Sequence, residues 1–395
     1  MCHFTKRVRL DEAIAASDEM VRTRSSSKPT RPGPSKRARR RDVVASTIVA
    51  SCSADAPCKP DPNAGPMVVD LGRDLEEAIF VRRPSRRNRS PYVCDVKLVH
   101  GGNECIAHVP NLDSGGKMRE GVRVLCSRQK GVTADSLGPH GTPKCELIAR
   151  LLRCEDLENA SEPDGGVWIS AHPALAEQIA LGLLESGALD DRLHPSPIVK
   201  GEGIKTQKML RRQSTESISN HYRPDFAVDH EDGTTTILEV KQVVDTDYCR
   251  EYVMEQARAQ KPHPAYSPKS EPYRRAGIFP WGRRGQQGPS GEKVVSARAI
   301  EHLRELAELA SQEKNKGMHP CVLFICSRAD AQGFRPNAAA CPSFGKHLME
   351  ARRKGVRVLV QGVRWGTGND VGKAFDGGPL ELWSDLEEGD EFVVK

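Results

Sequence analysis

Two carboxylates and one lysine occupy positions in a predicted β-hairpin where their side chains can meet. The strands RPDFAVD and TTTILEVKQVV are joined by the turn HEDG at 230–233, a connection typical of a hairpin. Side chains two residues apart in a strand point to the same face, so Glu239 and Lys241 share one face while Val240 enters the core. An antiparallel partner strand can bring Asp225 beside them. The hairpin is therefore predicted to gather two carboxylates and an ammonium group.

Such a group of side chains is suited to metal-dependent hydrolysis of a phosphodiester. Asp225 and Glu239 suit a hard divalent cation such as Mg²⁺ or Mn²⁺, and the main-chain carbonyl of Val240 is a further oxygen ligand. The Lys241 ammonium group can orient a metal-bound water and offset the charge of a phosphate under attack. This is the arrangement of PD-(D/E)XK nucleases. The alternative is an exposed strand with alternating charges, because 28% of the chain is charged and the spacing also arises by chance.

The segments around the hairpin predict a small β-barrel followed by an α/β unit. From about residue 67 to 160, short apolar or alternating runs are separated by Gly-rich turn clusters, a pattern typical of a barrel. The period then changes, because residues 174–186 place Leu175, Ile179 and Leu183 on one stripe of an amphipathic helix.

After the hairpin, two helices and two strands complete the predicted α/β unit. Ser296 precedes the helix ARAIEHLRELAELA, whose apolar face includes Ile300 and Leu303. The strand CVLFICS, a helix near 343–354 and the strand VRVLVQ follow. Residues 248–293 form an insert rich in Pro, Gly and Arg, and the absence of a core-forming pattern predicts disorder there.

Composition assigns part of the 395-residue chain to unstructured segments. Hydrophobic residues make up 37% and aromatic residues 5%, while Pro (27) and Gly (34) are plentiful. Residues 1–66 have little periodicity and are predicted to form a disordered tail. We expect no membrane association, because no window approaches the roughly 20 apolar residues that cross a bilayer. Residues 1–20 also lack the apolar core of a secretory signal.

The net charge of +6 is concentrated in the N-terminal tail. Residues 1–41 hold 12 basic and 4 acidic residues, a net of +8, whereas the other 354 residues carry a net of −2. The run PSKRARRR is typical of a nuclear-import signal or of a tail held on nucleic-acid phosphate. A solvated tail with no partner is the alternative. The residues expected to contact the import machinery are Lys36, Arg37, Arg39, Arg40 and Arg41.

These features predict a nuclear or cytoplasmic location. An organelle transit peptide is disfavoured, because transit peptides are poor in acidic residues and the first 20 residues contain four of them. The 12 cysteines include no C-x-x-C pair, so a zinc site is not expected. Reduced thiols in a cytosolic or nuclear protein are the simpler interpretation.

From about residue 80 to 365, the chain resembles the sugar fermentation stimulation protein (SfsA) family. The matching segments occur in the same order as in the family, which makes the match specific. They are AHVPN at 107–111, GVWISAHPALAEQIALGLLESGAL at 166–189, HYRPDF at 221–226, ILEVKQV at 237–243, VSARAIEHLREL at 295–306, VLFICSRADAQGFRP at 322–336, CPSF at 341–344 and ARRKGVRVL at 351–359.

The resemblance implies an OB-like barrel, a PD-(D/E)XK nuclease-like domain and association with DNA. Carried over by matching position, the nuclease-like centre consists of Glu202, Asp225, Glu239 and Lys241. Some positions depart from the family pattern: Leu112 and Asp113 replace a threonine and a glycine, Glu177 replaces a helix asparagine, and Cys341 replaces an aspartate. The resulting domain prediction is a disordered basic tail at 1–66, an OB-like nucleic-acid-binding domain at 67–165, a nuclease-like domain at 166–370 and a C-terminal extension at 371–395.

Nucleic acid is predicted to bind next to the barrel through the run RRPSRRNR and the segment AHVPN. The residues expected to make contact are Arg82, Arg83, Arg86, Arg87, Arg89, His108 and Asn111. A solvated linker is the alternative for the arginines, and a hydrogen-bonded structural histidine is the alternative for His108. His302 either assists the predicted centre or forms a hydrogen bond where its helix packs.

Three functions are consistent with these observations. The first is a DNA-binding protein with a metal-dependent nuclease-like domain that hydrolyses phosphodiester bonds. The second is a catalytically silent DNA-binding regulator of the SfsA type. The third is an RNA-binding adaptor, which would use the barrel and the basic tail without a metal, and we expect DNA rather than RNA as the partner. The intact set of Asp225, Glu239 and Lys241 favours the first, because a scaffold has no chemical need for clustered carboxylates.

Overall fold

The short alternating strands of the N-terminal half close into a five-strand barrel. The computed structural model describes residues 65–111, 114–154, 166–207, 223–247, 275–282 and 284–383. Its first strands are β1 (Met67–Asp70), β2 (Leu75–Arg82), β3 (Val93–Leu98), β4 (Glu104–His108), β5 (Arg123–Arg128), β6 (Leu147–Cys154) and β7 (Val167–Ser170). Strands β4, β3, β2, β5 and β6 are neighbours in that order, and a parallel pairing of β4 with β6 closes the ring. The predicted small OB-like barrel is confirmed.

Alternation along these strands separates the barrel interior from its outer face. On β6, Leu147 and Ala149 are fully buried, while Ile148 and Arg150 between and beyond them are half-buried. Residues of β2, β3 and β5 complete the interior in the same way. Strand β7 pairs with β6 outside the closed ring and leads the chain into the second half of the fold.

A seven-strand sheet forms the α/β part of the protein. Its strands lie in the order β1, β18, β17, β15, β10, β9 and β8, and the three central strands β17, β15 and β10 are parallel. Their bounds are β8 (Ile204–Thr206), β9 (Phe226–Asp229), β10 (Thr235–Val243), β15 (Met318–Cys326), β17 (Arg357–Trp365) and β18 (Lys373–Pro379). Strand β1 therefore joins this sheet, although its residues fall in the segment predicted as barrel, and β18 extends the sheet past the predicted boundary at residue 370.

Helices cover both faces of the seven-strand sheet. The helices are α1 (Ala174–Glu185), α2 (Asp190–Leu193), α3 (Ala297–Ser311) and α4 (Pro342–Arg353). Helix α1 buries Leu175, Ile179 and Leu183 against one face, and α3 and α4 pack on the other. Both faces of the central strands are thus covered, which explains why CVLFIC in β15 is almost continuously apolar.

A smaller sheet lies beside the carboxyl ends of the central strands. It consists of β11 (Asp245–Thr246), β12 (Ala276–Phe279), β16 (Gly333–Pro336) and β19 (Glu381–Leu382), and β13 (Gln286–Gln287) pairs separately with β14 (Lys293–Val294). The described part of the predicted disordered insert at 248–293 is therefore ordered. Ala276 and Ile278 are buried in β12, and a strand of four residues is too short to reveal itself by periodicity among prolines and glycines.

Several sequence predictions concern parts of the chain outside the described residues. The tail at 1–64 lies there, together with the basic run at 36–41 and positions 112 and 113. Among the helices that the structure describes, none is long and apolar enough to cross a membrane.

Candidate functional site

The hairpin of β9 and β10 places Asp225 opposite Glu239. Phe226 pairs with Leu238 across the two antiparallel strands, so the next position in the register sets Asp225 level with Glu239. The backbone N–H of Val240 donates a 2.8 Å hydrogen bond to Asp225 Oδ2. The turn forms as predicted, because Gly233 adopts a positive φ of 81° and its N–H donates to the His230 carbonyl at 3.0 Å.

The Val240 carbonyl lies on the same strand edge as the Asp225 carboxylate. In a β-strand, the N–H and the C=O of one residue point to the same side. Because the Val240 N–H binds Asp225, its carbonyl is directed to that side too, at a position beyond the end of β9. The Asp225 carboxylate and this carbonyl thus lie on one edge of β10, and Glu239, which is level with Asp225, adds a second carboxylate to this all-oxygen donor set.

Burial and the neighbouring carboxylate raise the pKa of Asp225. Desolvation is the larger cause and the charge of Glu239 the second, while the hydrogen bond from Val240 N–H lowers it in part. The resulting pKa is about 6, compared with an ordinary value of 3.8. Two nearby carboxylates that share a poorly solvated site destabilise one another's charged form. A divalent cation would remove this repulsion, so the donor chemistry fits a hard metal ion.

Glu239 has the opposite electrostatic environment. Its side chain is 2% exposed, and burial alone would raise its pKa. The hydrogen bond from His302 and the charge of Lys241 outweigh burial, so the pKa of Glu239 is lowered. The Lys241 ammonium group lies 2.5 Å from Glu239 Oε1. The charged form of Glu239 is therefore stabilised by its neighbours, whereas the charged form of Asp225 is destabilised.

His302 on α3 donates to Glu239 in a defined tautomer. Arg298 Nε donates a 3.2 Å hydrogen bond to His302 Nε2, so that nitrogen is an acceptor and the ring proton is on Nδ1. The His302 Nδ1–H then donates to Glu239 Oε1. Lys241 Nζ also lies 3.2 Å from His302 Nδ1. Both nitrogens carry protons and cannot accept from one another, so the hydrogen-bond partner of Lys241 is the Glu239 carboxylate. Helix α3 thus orients Glu239 from the face opposite α1.

A third carboxylate, Glu177, reaches the site from the first turn of α1. Desolvation and the charge of Glu239 raise the pKa of Glu177, although its side chain is exposed to solvent. Its own charge contributes to the raised pKa of Asp225. Sequence reasoning noted this residue only as a departure from a helix asparagine. An acidic residue in a first helical turn is ordinarily read as complementing the helix dipole, so no local signal identified it.

The structure does not bring Glu202 to this group. Strand β8 runs antiparallel to β9, with Gln207 N–H bonded to the Asp225 carbonyl and Asp229 N–H bonded to the Gly203 carbonyl. Glu202 is exposed and therefore lies at the far end of β9, about 16 Å along the strand from the level of Asp225 at about 3.3 Å per residue. In the described part of the chain, no group of three or more His, Cys, Asp or Glu side chains has the geometry of a metal site.

Comparison with known proteins agrees with this fold. A family model described as the sugar fermentation stimulation protein RE domain matches residues 293–369. The protein named sugar fermentation stimulation protein homolog from Acidithiobacillus ferrooxidans is 39% identical over 71 residues, 18% of this chain and 29% of that protein. The homolog from Citrifermentans bemidjiense is 43% identical over 66 residues, 17% of this chain and 27% of that protein. Over this part of its length, the chain is similar to the SfsA family.

A solved SfsA structure has a similar fold at low sequence identity. The structure of Pyrococcus furiosus SfsA in complex with Ca²⁺ superposes with a TM-score of 0.51 and 17% identity, covering 80% of this chain and 99% of that one. This similarity shows a shared fold. The sequence matches span less than a third of the length of the curated SfsA relatives.

The predicted nucleic-acid contacts of the chain lie on the β2–β3 connection and the end of β4. Arg82, Arg86 and Arg89 are exposed there. Arg83 donates a 3.1 Å hydrogen bond to the Asn111 carbonyl, and Arg87 forms a 3.0 Å ion pair with Glu146. Arg83 and Arg87 are thus engaged in internal contacts that hold the connection against the barrel.

Proposed function

We propose that this SfsA-family protein binds DNA and hydrolyses its phosphodiester bonds at the centre formed by Asp225, Glu239 and Lys241, with Mg²⁺ or Mn²⁺ as cofactor. The supporting observation is the pairing of Asp225 with Glu239 across the hairpin, on the strand edge to which the Val240 carbonyl also points. Pyrococcus furiosus SfsA, which shares the fold, was solved in complex with Ca²⁺, another hard divalent cation.

Each residue of the centre has a separate role in this proposal. Asp225, Glu239 and the Val240 carbonyl would hold the cation, which when bound lowers the pKa of water and neutralises phosphate charge. Glu239 is already ionised, because Lys241 and His302 stabilise its charge. Lys241 lies beside the carboxylate and offers an ammonium group to a phosphate oxygen. His302 is a positioning residue, since it contacts Glu239 from α3.

A catalytically silent DNA-binding protein is the second candidate, and one observation favours it. Lys241 and His302 both contact Glu239 Oε1, so the charge of this carboxylate is compensated without any cation. A centre balanced in this way can persist as a scaffold. In that case the barrel and the fold would serve DNA binding alone.

A cleavage assay with matched aspartate variants distinguishes the two candidates. Purified wild-type protein is incubated with single- and double-stranded DNA and RNA in Mg²⁺ or Mn²⁺. We expect metal-dependent DNA cleavage that Asp225→Asn abolishes and that Asp229→Asn retains. Asp229 is a fair control because it lies at the other end of β9 and pairs with Lys205 at 2.5 Å. Absence of cleavage by the wild type, or equal cleavage by Asp225→Asn, would reject the catalytic assignment.

A further inference from the structure

Arg150 on the outer face of the barrel is a half-buried cation without a carboxylate partner among the described residues. Its Nε donates a 2.8 Å hydrogen bond to Ser127 Oγ. Burial lowers the pKa of Arg150, and no acidic side chain opposes that effect. Removing an arginine from water without a counter-charge is costly, so an anion from outside the chain would stabilise this site.

Other arginines of the barrel differ from Arg150 in this respect. Arg87 pairs with Glu146 at 3.0 Å, Arg123 pairs with Glu77 at 3.2 Å, and Arg128 pairs with Glu76. These arginines are compensated within the barrel. Arg150 is less exposed than they are, yet the Ser127 hydroxyl is its only side-chain partner among the residues that the structure describes.

Two histidines surround Arg150 on the same side of the barrel. His108 on β4 pairs with Ile148, and Arg150 lies two residues further along β6 on the face that Ile148 shares. The Arg150 carbonyl accepts a 2.8 Å hydrogen bond from Ala171 N–H, which places His172 directly after that contact. Desolvation lowers the pKa of His172, and the charges of Arg150 and His108 lower it further, so the three side chains are close enough to interact.

His172 presents a hydrogen-bond donor to this group. Its Nδ1 accepts a 3.3 Å hydrogen bond from Ala174 N–H at the start of α1, so the ring proton is on Nε2. The Nε2–H forms no hydrogen bond to the described residues. Arg150, His172 and His108 therefore offer several donors and one permanent positive charge, with no acidic group among them.

This group of three lies next to the carboxylate centre. The side-chain amide of Gln242, which follows Lys241 on β10, donates a 3.4 Å hydrogen bond to the His172 carbonyl. His172 lies two residues before the start of α1 at Ala174, and Glu177 lies in the first turn of that helix. A nucleic-acid strand that reaches Asp225 and Glu239 would thus pass near the three basic side chains.

We infer that Arg150, His172 and His108 form a binding site for a backbone phosphate of the nucleic acid, adjacent to the phosphate at the carboxylate centre. This inference rests on the proposed function for the identity of the polymer, and it adds the residues that hold the strand in register. Arg150 supplies the charge and His172 the directed N–H. Ser127 keeps the guanidinium group in place.

The test measures DNA binding in EDTA, so that no cleavage is required. Fluorescein-labelled 20-nucleotide single strands and duplexes are titrated with wild type, Arg150→Gln, Arg150→Lys, His172→Gln and the control Arg123→Gln at several salt concentrations. We expect Arg150→Gln to weaken binding several-fold and to reduce the slope of log K against log salt by about 0.9 for duplex or about 0.7 for single strands. Arg150→Lys should restore most of that slope, and Arg123→Gln should leave affinity at the wild-type level. Melting temperatures verify that each variant is folded.

The possible outcomes separate this inference from the proposed hydrolysis. Wild-type affinity and slope in folded Arg150→Gln would overturn the phosphate site, even if the protein cleaves DNA. In another outcome, the wild-type protein cleaves nothing while Arg150→Gln binds DNA more weakly and with a smaller salt slope. That result would support the phosphate site and contradict only the catalytic proposal. Competition by poly-glutamate as effective as that by DNA would overturn the assignment to phosphate, because it would indicate an acidic peptide as the ligand.

Discussion

Asp225 and Glu239 are neighbours across the hairpin, but the protein stabilises the negative charge of Glu239 and destabilises that of Asp225. Glu239 is compensated by Lys241 and His302, and its pKa is lowered. Asp225 has one backbone N–H as its hydrogen-bond donor, and its pKa is raised to about 6. In the metal-free protein, the unfavourable charge of the pair therefore resides mainly on Asp225.

Asp225→Asn is expected to stabilise the metal-free protein near neutral pH. A carboxyl whose folded pKa exceeds its unfolded pKa contributes stability below the unfolded value, and that contribution is lost as pH rises through the folded value. Here the window runs from 3.8 to about 6. Asparagine keeps an acceptor for Val240 N–H without a charge. Urea unfolding in EDTA should show a gain on the order of 1–3 kcal/mol at pH 7.5 and little gain near pH 3.5.

Asp229→Asn is the control for this stability measurement, because Asp229 pairs with Lys205 and should show no gain. An Asp225→Asn variant that is no more stable than the wild type at pH 7.5 would contradict the electrostatic account of the hairpin. So would a gain of the same size at both pH values.

Glu239→Gln is expected to have the opposite effect on stability. The substitution removes the counter-charge of Lys241, whose side chain is 12% exposed, and leaves a buried ammonium group unpaired. Breaking such a pair costs about 3 kcal/mol or more. Urea unfolding should show this loss, and the double variant with Lys241→Met should recover part of it. A Glu239→Gln variant as stable as the wild type would mean that the contacts with Lys241 and His302 contribute little.

At the scale of secondary-structure elements, the β2–β3 connection combines structural and exposed arginines. Glu146 is 2% exposed. It forms a 3.0 Å ion pair with Arg87 and accepts a 2.9 Å hydrogen bond from Ile106 N–H. Arg87→Ala would leave this buried carboxylate without its cationic partner. We therefore expect the free energy of unfolding to fall by about 1–3 kcal/mol. Thermal or urea unfolding checks this value.

Arg86→Ala is the matched comparison on the same connection. The Arg86 side chain is exposed, and its backbone N–H bonds to Asp95 at 3.0 Å in either variant. Its stability should therefore stay within about 0.5 kcal/mol of the wild type. Equal stability losses in the two variants would contradict the assignment of Arg87, and not Arg86, to a structural role.

Elements that are defined by contacts between residues near in sequence could be predicted, whereas those defined by contacts between distant residues could not. Helix α1, predicted at 174–186, is Ala174–Glu185, and Ile300 and Leu303 of α3 are buried as expected, since both helices have a local apolar period. Alternation alone placed Glu239 and Lys241 on one face of β10. By contrast, the pairing of β1 with β18 joins residues about 300 positions apart, and no local pattern encodes it. Glu177 was missed for the same reason.

At the scale of the whole molecule, the basic charge of the sequence is concentrated near its N-terminus. Residues 1–41 carry a net of +8, while the other 354 residues carry −2. The seven-strand sheet and the barrel hold the carboxylate centre and the three basic side chains around Arg150 close together. The positive segment is therefore predicted to act separately from the centre.

Removing residues 1–41 is expected to shift the protein out of the nucleus without unfolding the rest. The basic run at 36–41 is the expected recognition signal, so replacing its five basic residues by glutamine in the full chain should have the same effect. Localisation of fluorescent fusions measures this. Nuclear accumulation of the truncated fusion, or delivery of the full-length fusion to an organelle, would contradict the assignment.

The most direct test of the central claim is calorimetric titration of the purified protein with Mn²⁺. The account predicts that one cation binds per chain at the edge shared by Asp225, Glu239 and the Val240 carbonyl. It predicts that Asp225→Asn loses this binding, that Asp229→Asn retains it, and that binding weakens as the pH falls below about 6, where Asp225 gains its proton. A wild-type protein that takes up no Mn²⁺, or an Asp225→Asn variant that binds it equally well, would contradict the claim.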